Sequence, residues 1–259
     1  LNSTVTQVGG AAVPAYTGTA PTYLTFTGSS TTYSHFKTPN VKSYLDQTSA
    51  ATLQNISIFT WVYPTGNGVI IDEVNADNGW QDSQIEMVNG AFNFRVWISS
   101  TIVSDATTPL NYWYYVGFVY DFSNLRLTAF VNGQQVGVIN NYDRMTPWET
   151  NANYTIQYSL GRYDGTNLGS ASAGNFRFGA LHLFKTALSQ STILNNYEAG
   201  LTRFGPTISN PVDASTLVNR SSTFSVSACS GVKSGSDCAY RWEVSTDNGS
   251  TWNPVGNTT

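Results

Sequence analysis

Along most of this chain apolar residues recur at every second position or in short unbroken runs, and turn residues cut the runs at short intervals. That period belongs to β-strands, whose side chains alternate between two faces. Asn55 to Pro64, Val69-Ile70-Ile71, Gln84 to Val88, Ala91 to Ile98, Tyr112 to Tyr120 and Leu127 to Gly137 all read as strands. Asn89-Gly90 and Asn132-Gly133 lie between or within such runs and predict two-residue hairpin turns. One stretch changes period. After the strand-like Phe176 to Phe184, Ser189 is placed as an N-cap, Ile193, Leu194 and Tyr197 share one helical face, and Gly200 is placed to end a helix. Short strands split by tight turns predict an all-β, two-sheet sandwich with one helix.

Composition narrows the class. The 259 residues are 41% hydrophobic and 14% aromatic, enough for one large sandwich core and a smaller unit. Only 11% are charged, so Ser, Thr, Asn, Gln and Gly must cover the surface, a habit of extracellular or particle-surface proteins. A net charge of -4, with 12 Lys plus Arg and no basic run, argues against nucleic acid as a partner. No apolar stretch approaches the ~20 residues of a membrane-spanning helix. The chain begins at Leu1 without a signal-peptide pattern and stops at Thr259 in what reads as an unfinished domain, as expected of a piece of something longer.

The ordered strands carry a resemblance. Tyr23 to Ser30 is similar to the opening strand and turn of laminin G-like, concanavalin A-like domains. Asn55 to Pro64 resembles their "F-T-hydrophobic-x-x-W-V-x-P" strand, and Tyr112 to Tyr120 a later core strand. Leu127 to Gly137 contains their "N-G-x-x-V" hairpin, and Phe176 to Ser189 resembles the closing strand with its "x-x-Ala-Leu-Ser" lead into a helix. The resemblance implies a concanavalin A-like jelly roll over residues 21–204, preceded by a leader or linker over 1–20. From Pro206 the character becomes Ser/Thr-rich. Pro206 to Ala228 and Tyr240 to Trp252, with an Asp247-Asn248-Gly249 turn, resemble the front half of a bacterial- or phage-type immunoglobulin-like repeat over 205–259. A partial β-sandwich of this kind leaves an open edge, which the Leu1 to Val8 stretch of a neighbouring chain is one candidate to fill, making self-assembly a reading. Cys229 and Cys238 flank a short loop there and read as a disulfide, with two free thiols as the alternative.

Catalytic chemistry has little support in the sequence. Jelly-roll glycan hydrolases of the laminarinase type need carboxylates at alternate positions of one strand, and here Asp72 and Glu73 are adjacent. No Gly-x-Ser-x-Gly elbow is present. Polar loops hold the candidate ligand residues. Asp72 to Asp82 offers Asp72, Asp77 and Asp82 as hard oxygen ligands for Ca²⁺, together with Trp80. Asn140 to Glu149 offers Tyr142 and Trp148, and Arg162 to Asn167 offers Tyr163, Asp164 and Asn167, aromatic surfaces for sugars beside hydrogen-bonding groups. Trp61, Trp97 and Trp113 sit in apolar strands and are expected in the core, and His182 is expected to have no catalytic task. The expected function is non-enzymatic recognition or adhesion, binding a glycan or a surface protein on a cell or virion. A structural subunit of a virion, phage tail or extracellular filament is the alternative, and a glycan hydrolase the weaker one.

Overall fold

In a computed structural model of the chain, the described residues are 5–7, 23–28, 36–42, 44, 55–75, 77, 80–96, 100–104, 108–142, 155–161, 173–204, 243–244 and 253–254; for 5–7, 80–83, 202, 243–244 and 253–254 the description covers the backbone alone. The chain divides into two compact units, Leu1–Gly205 and Pro206–Thr259.

The first unit is a two-sheet sandwich. Its larger sheet contains β1 (Val5–Gln7), β2 (Leu24–Phe26), β4 (Ile56–Pro64), β9 (Tyr114–Asp121), β10 (Arg126–Val131), β11 (Gln134–Ile139) and β13 (Phe176–Phe184), in the order β1-β13-β4-β9-β10-β11 with β2 also on β13. The smaller sheet contains β3 (Phe36–Lys37), β5 (Gly68–Asn75), β6 (Trp80–Val88), β7 (Ala91–Phe94), β8 (Ile102–Val103) and β12 (Ile156–Leu160), in the order β3-β12-β5-β6-β7-β8. Apart from the β1–β13 pair, every pairing in the two sheets is antiparallel. Both hairpins expected from Asn-Gly form: Asn89 and Gly90 take φ of 50° and 78°, Asn132 and Gly133 φ of 51° and 77°, the left-handed pair that a type I′ turn demands. Sequence-distant strands then meet, with β4 lying between β13 and β9.

Val5–Gln7 lies inside the stretch expected to be a leader. Its backbone instead pairs in parallel with Leu181–Leu183 of its own chain, while Leu24–Phe26 pairs with Phe176–Phe178 on the same strand. Two short segments thus share the outer side of β13, which would otherwise offer unpaired N–H and C=O groups.

Alternation sorts the side chains of the larger sheet. Ile56, Ile58, Val62, Val116, Phe118, Leu181 and Leu183 join the core between the sheets with Ile71, Ile85, Phe92, Phe94 and Tyr158 of the smaller one. Phe59, Trp61, Tyr115, Val119, Phe130 and Phe184 form a second core with Ile193 and Phe204 of the helix α1 (Gln190–Phe204). Ser189 caps α1 as expected, its Oγ accepting the Thr192 N–H at 3.2 Å. Gly200 does not end the helix, which runs on to Phe204. A Cβ at Gly200 would stand 2.4 Å from Trp61 Nε1, so the glycine is the place where helix and indole touch. Trp61 lies between its helical partners, with ring centroids 5.7 Å from Tyr197 and 5.0 Å from Phe204.

In the second unit, β14 (Glu243–Val244) pairs antiparallel with β15 (Asn253–Pro254), on either side of the expected Asp247-Asn248-Gly249 turn. The remaining segments expected of an immunoglobulin-like repeat, Cys229 and Cys238 among them, lie outside the described residues.

Candidate functional site

The polar stretch Asp72 to Asp82 is less of a loop than expected, because β5 continues to Asn75 and β6 starts at Trp80. Asp72 is correspondingly not a rim ligand. It is fully buried in mid-strand, its Cα opposite Ser159 on one side and Ser83 on the other. The expectation failed because a strand with polar residues was taken for a loop; pairing on both sides carries β5 through them. Asp77 is exposed on the turn beyond. Asp82 registers opposite Glu73 and Trp80 opposite Asn75; their side chains lie outside the description. Among the described residues, no group of three or more His, Cys, Asp or Glu is placed to hold a metal ion.

Asp77 belongs to a corner built from three chain segments. Its carboxylate accepts the Thr155 N–H, and its own N–H donates to Asn75 Oδ1 at 3.0 Å. Asn40 ties in the third segment, its Oδ1 accepting the N–H groups of Lys42 at 3.0 Å and Ile156 at 3.2 Å. Lys42 is 4% exposed, and burial holds its ammonium below its ordinary pKa while the Asp77 charge pulls the other way. Among the described residues, neither Lys42 Nζ nor Asn75 Nδ2 finds a hydrogen-bond acceptor. Such donors cost free energy when left dry, a cost that this corner carries in its interior.

Glu73, next to Asp72, is committed to the interior: its Oε2 accepts from Gln84 Nε2 at 2.6 Å and from the Tyr158 hydroxyl at 3.0 Å. Tyr142 is also a correction. It is 4% exposed in the inter-sheet core rather than on a binding loop. Asn141, with φ of 55°, turns the chain back after β11; the Tyr142 N–H then reaches the Leu125 carbonyl at 2.7 Å and its hydroxyl accepts the Val96 N–H at 3.1 Å. Trp148, Tyr163, Asp164 and Asn167 lie outside the described residues, as does Trp97.

A second surface feature was not anticipated. Arg177 alternates with Phe176 and Phe178, which enter the inter-sheet core, and its guanidinium carbon lies 5.1 Å from the Tyr23 ring centroid and 4.7 Å from that of Tyr63. Trp113, expected in the core, is only half-buried and joins this group, 6.0 Å from Tyr23, 5.6 Å from Tyr63 and 4.7 Å from Phe204. Tyr23 is 41% exposed.

His182 is buried under α1, its Nδ1 3.2 Å from the Tyr115 hydroxyl. Burial, seconded by Arg203, pushes the imidazole down to about 4, and burial drives the Tyr115 phenol up. A His–Tyr pair this deep has no route to a substrate.

The family model described as the concanavalin A-like lectin/glucanases superfamily matches residues 29–194. Comparison with curated proteins returned no match. Among solved structures, the chain is similar to a native heptameric SAP-like pentraxin from Limulus polyphemus at 15% identity, covering 59% of this chain and 73% of that one, with a TM-score of 0.43. It is similar to the CBM40 of the Ruminococcus gnavus IT-sialidase, solved with alpha2,3 sialyllactose, at 11% identity over 68% of this chain and 95% of that one, TM-score 0.46. The NanB sialidase of Streptococcus pneumoniae matches at 16% identity and TM-score 0.45, over 61% of this chain but only 27% of the enzyme.

Proposed function

The chain belongs to the concanavalin A-like lectin/glucanases superfamily, and from that premise we propose that it is a non-enzymatic recognition module that binds glycans at the Asn40–Lys42–Asn75–Asp77 corner. The observation that carries the reading is the exposure of Asp77 and Asn40 side by side at this corner, where they tie three chain segments together above the buried Lys42 and Asn75. A sugar hydroxyl both accepts and donates, so one can give an O–H to the Asp77 carboxylate while its neighbour takes an N–H from the Asn40 amide. Recognition without turnover is supported by the acids of β5: Asp72 is fully buried and Glu73 is held by Gln84 and Tyr158. In this reading the protein works outside the cell, on a cell or particle surface, where low charge and a polar, hydroxyl-rich surface are at home. The second unit is then an immunoglobulin-like spacer.

A glycan array probed with and without EDTA tests the proposal. Binding that Asp77→Asn and Asn40→Ala both weaken is expected, and the EDTA arm reads out any need for Ca²⁺. Lys42→Met should at the same time raise stability in denaturant titration, because it removes a buried ammonium that nothing solvates. Silence across the array in both conditions would overturn glycan recognition, and release of reducing ends from β-glucans would overturn the non-enzymatic part.

A further inference from the structure

We propose that the Tyr23–Tyr63–Trp113–Arg177 cluster is a separate docking surface for a protein partner, reading a carboxylate carried on an extended, aliphatic-flanked peptide segment. The cluster is remote in the fold from the Asp77 corner: its residues come from β4, β13 and the approaches to β2 and β9, all on the larger sheet, whereas Asp77 follows β5 of the smaller one. Its residue types are those that dominate binding energy at protein interfaces, where Trp, Tyr and Arg anchor a patch that excludes water.

The geometry selects the partner's chemistry. A guanidinium is planar and donates only in its plane. Tyr23 and Tyr63 both lie within cation–π range of Arg177, their ring centroids 5.1 and 4.7 Å from its guanidinium carbon. A carboxylate approaching edge-on meets two parallel N–H groups. Among the described residues no carboxylate pairs with Arg177; the ion pair on the smaller sheet, Arg95–Glu86 at 4.0 Å, is elsewhere. In this proposal the partner supplies the anion.

The same stacking argues against a sugar here. Saccharides lie on open ring faces, and here Arg177 stands over Tyr63 while Trp113 is half-buried against Phe204. The exposed apolar side chains in these same stretches are Tyr23, 41% exposed, and Leu110, 37% exposed at the turn leading to Trp113. These are contacts for aliphatic side chains flanking an acid.

The full chain can be tested on immobilised peptides in which one Glu or Asp sits among Leu, Val and Pro, each matched by its Gln or Asn counterpart, beside glucose- and glucuronate-terminated disaccharides on the same surface. Acidic peptides should be retained roughly tenfold better than their amide twins, the scale of one bidentate charge-assisted contact. Raising salt from about 50 to about 500 mM should shrink that ratio in the wild-type chain. Arg177→Gln should erase the ratio, Arg177→Lys should keep part of it, and Tyr23→Ser should weaken acidic and amide peptides alike. Melting curves identify any variant that has lost its fold, and the salt series in the unaltered protein stands without them. Equal retention of acid and amide peptides, no retention of either, or a preference that survives Arg177→Gln overturns the proposal. So does glucuronate binding that Arg177→Gln removes, which would make the cluster a sugar site.

Discussion

β4 and β5 are both buried along nearly their whole length, one at the heart of each sheet, yet they are built differently. β4 seals one face with aliphatic residues against the opposite sheet and the other with Phe59 and Trp61 against α1. Its polar residues are small hydroxyls with carbonyl partners: Ser57 donates to Thr186 at 2.6 Å and Thr60 to Ala180 at 2.8 Å. β5 instead carries Asp72, Glu73 and Asn75, all at most 2% exposed. Burying such groups costs free energy that apolar residues would spare. β4 therefore reads as a strand selected for packing alone. β5 offsets part of that cost internally, with Gln84 and the Tyr158 hydroxyl donating to Glu73 and Asn75 accepting the Asp77 N–H.

The largest effect should come from breaking the β4 side. Trp61→Ala removes the indole from between Tyr115, Tyr197 and Phe204 and should cost about 3–5 kcal/mol in denaturant titration. A loss near zero would mean that α1 is not held by this contact.

Next comes acid. His182 has a folded-state pKa of about 4 against an ordinary 6.5, first through burial and then through Arg203. The unfolded chain takes up the proton first as pH falls. The contribution is complete above about pH 6.5, drains between about 6.5 and 4, and is level below that, amounting to roughly 3 kcal/mol in all. Subtracting the stability-versus-pH curve of His182→Gln from that of the wild type should isolate this slope; parallel curves would refute it.

Gly200→Ala sharpens the comparison by its sign. In an exposed helix the change stabilises by about 1 kcal/mol. Here the new Cβ meets the Trp61 ring at 2.4–2.5 Å, so thermal unfolding should show a net loss of about 1–3 kcal/mol instead. The smallest effect falls on β5. Glu73→Gln keeps one oxygen for the Gln84 amide and the Tyr158 hydroxyl but exchanges a charged acceptor for a neutral one and should cost about 1–2 kcal/mol, with Glu73→Leu no worse if the network is dispensable to the fold.

Local signals carried much of the fold. The Asn89-Gly90 and Asn132-Gly133 turns, the Ser189 cap and the alternation of Ile56, Ile58 and Val62 with Phe59 and Trp61 are written in short windows, because backbone sterics and period-two burial act within a few residues. The candidate sites were less legible. Tyr142 looked like a loop residue until Asn141 turned it inward, and Asp72 looked solvated until two neighbouring strands enclosed it. Arg177 could have been placed opposite Phe176 and Phe178 by alternation, but that Tyr23, Tyr63 and Trp113 surround it follows only from β2 and β4 flanking β13 and the approach to β9 lying beyond β4.

By itself, then, the order of residues determined that this would be a layered β protein with one capped helix, since periodicity, turn chemistry and capping are near-neighbour physics. Only the tertiary structure decided which polar groups would be stranded without partners, how far the helix would run past Gly200, and which aromatic rings would gather around a cation. Those outcomes depend on strands more than a hundred residues apart, whose pairing is set by the joint burial of both sheets and by no segment alone.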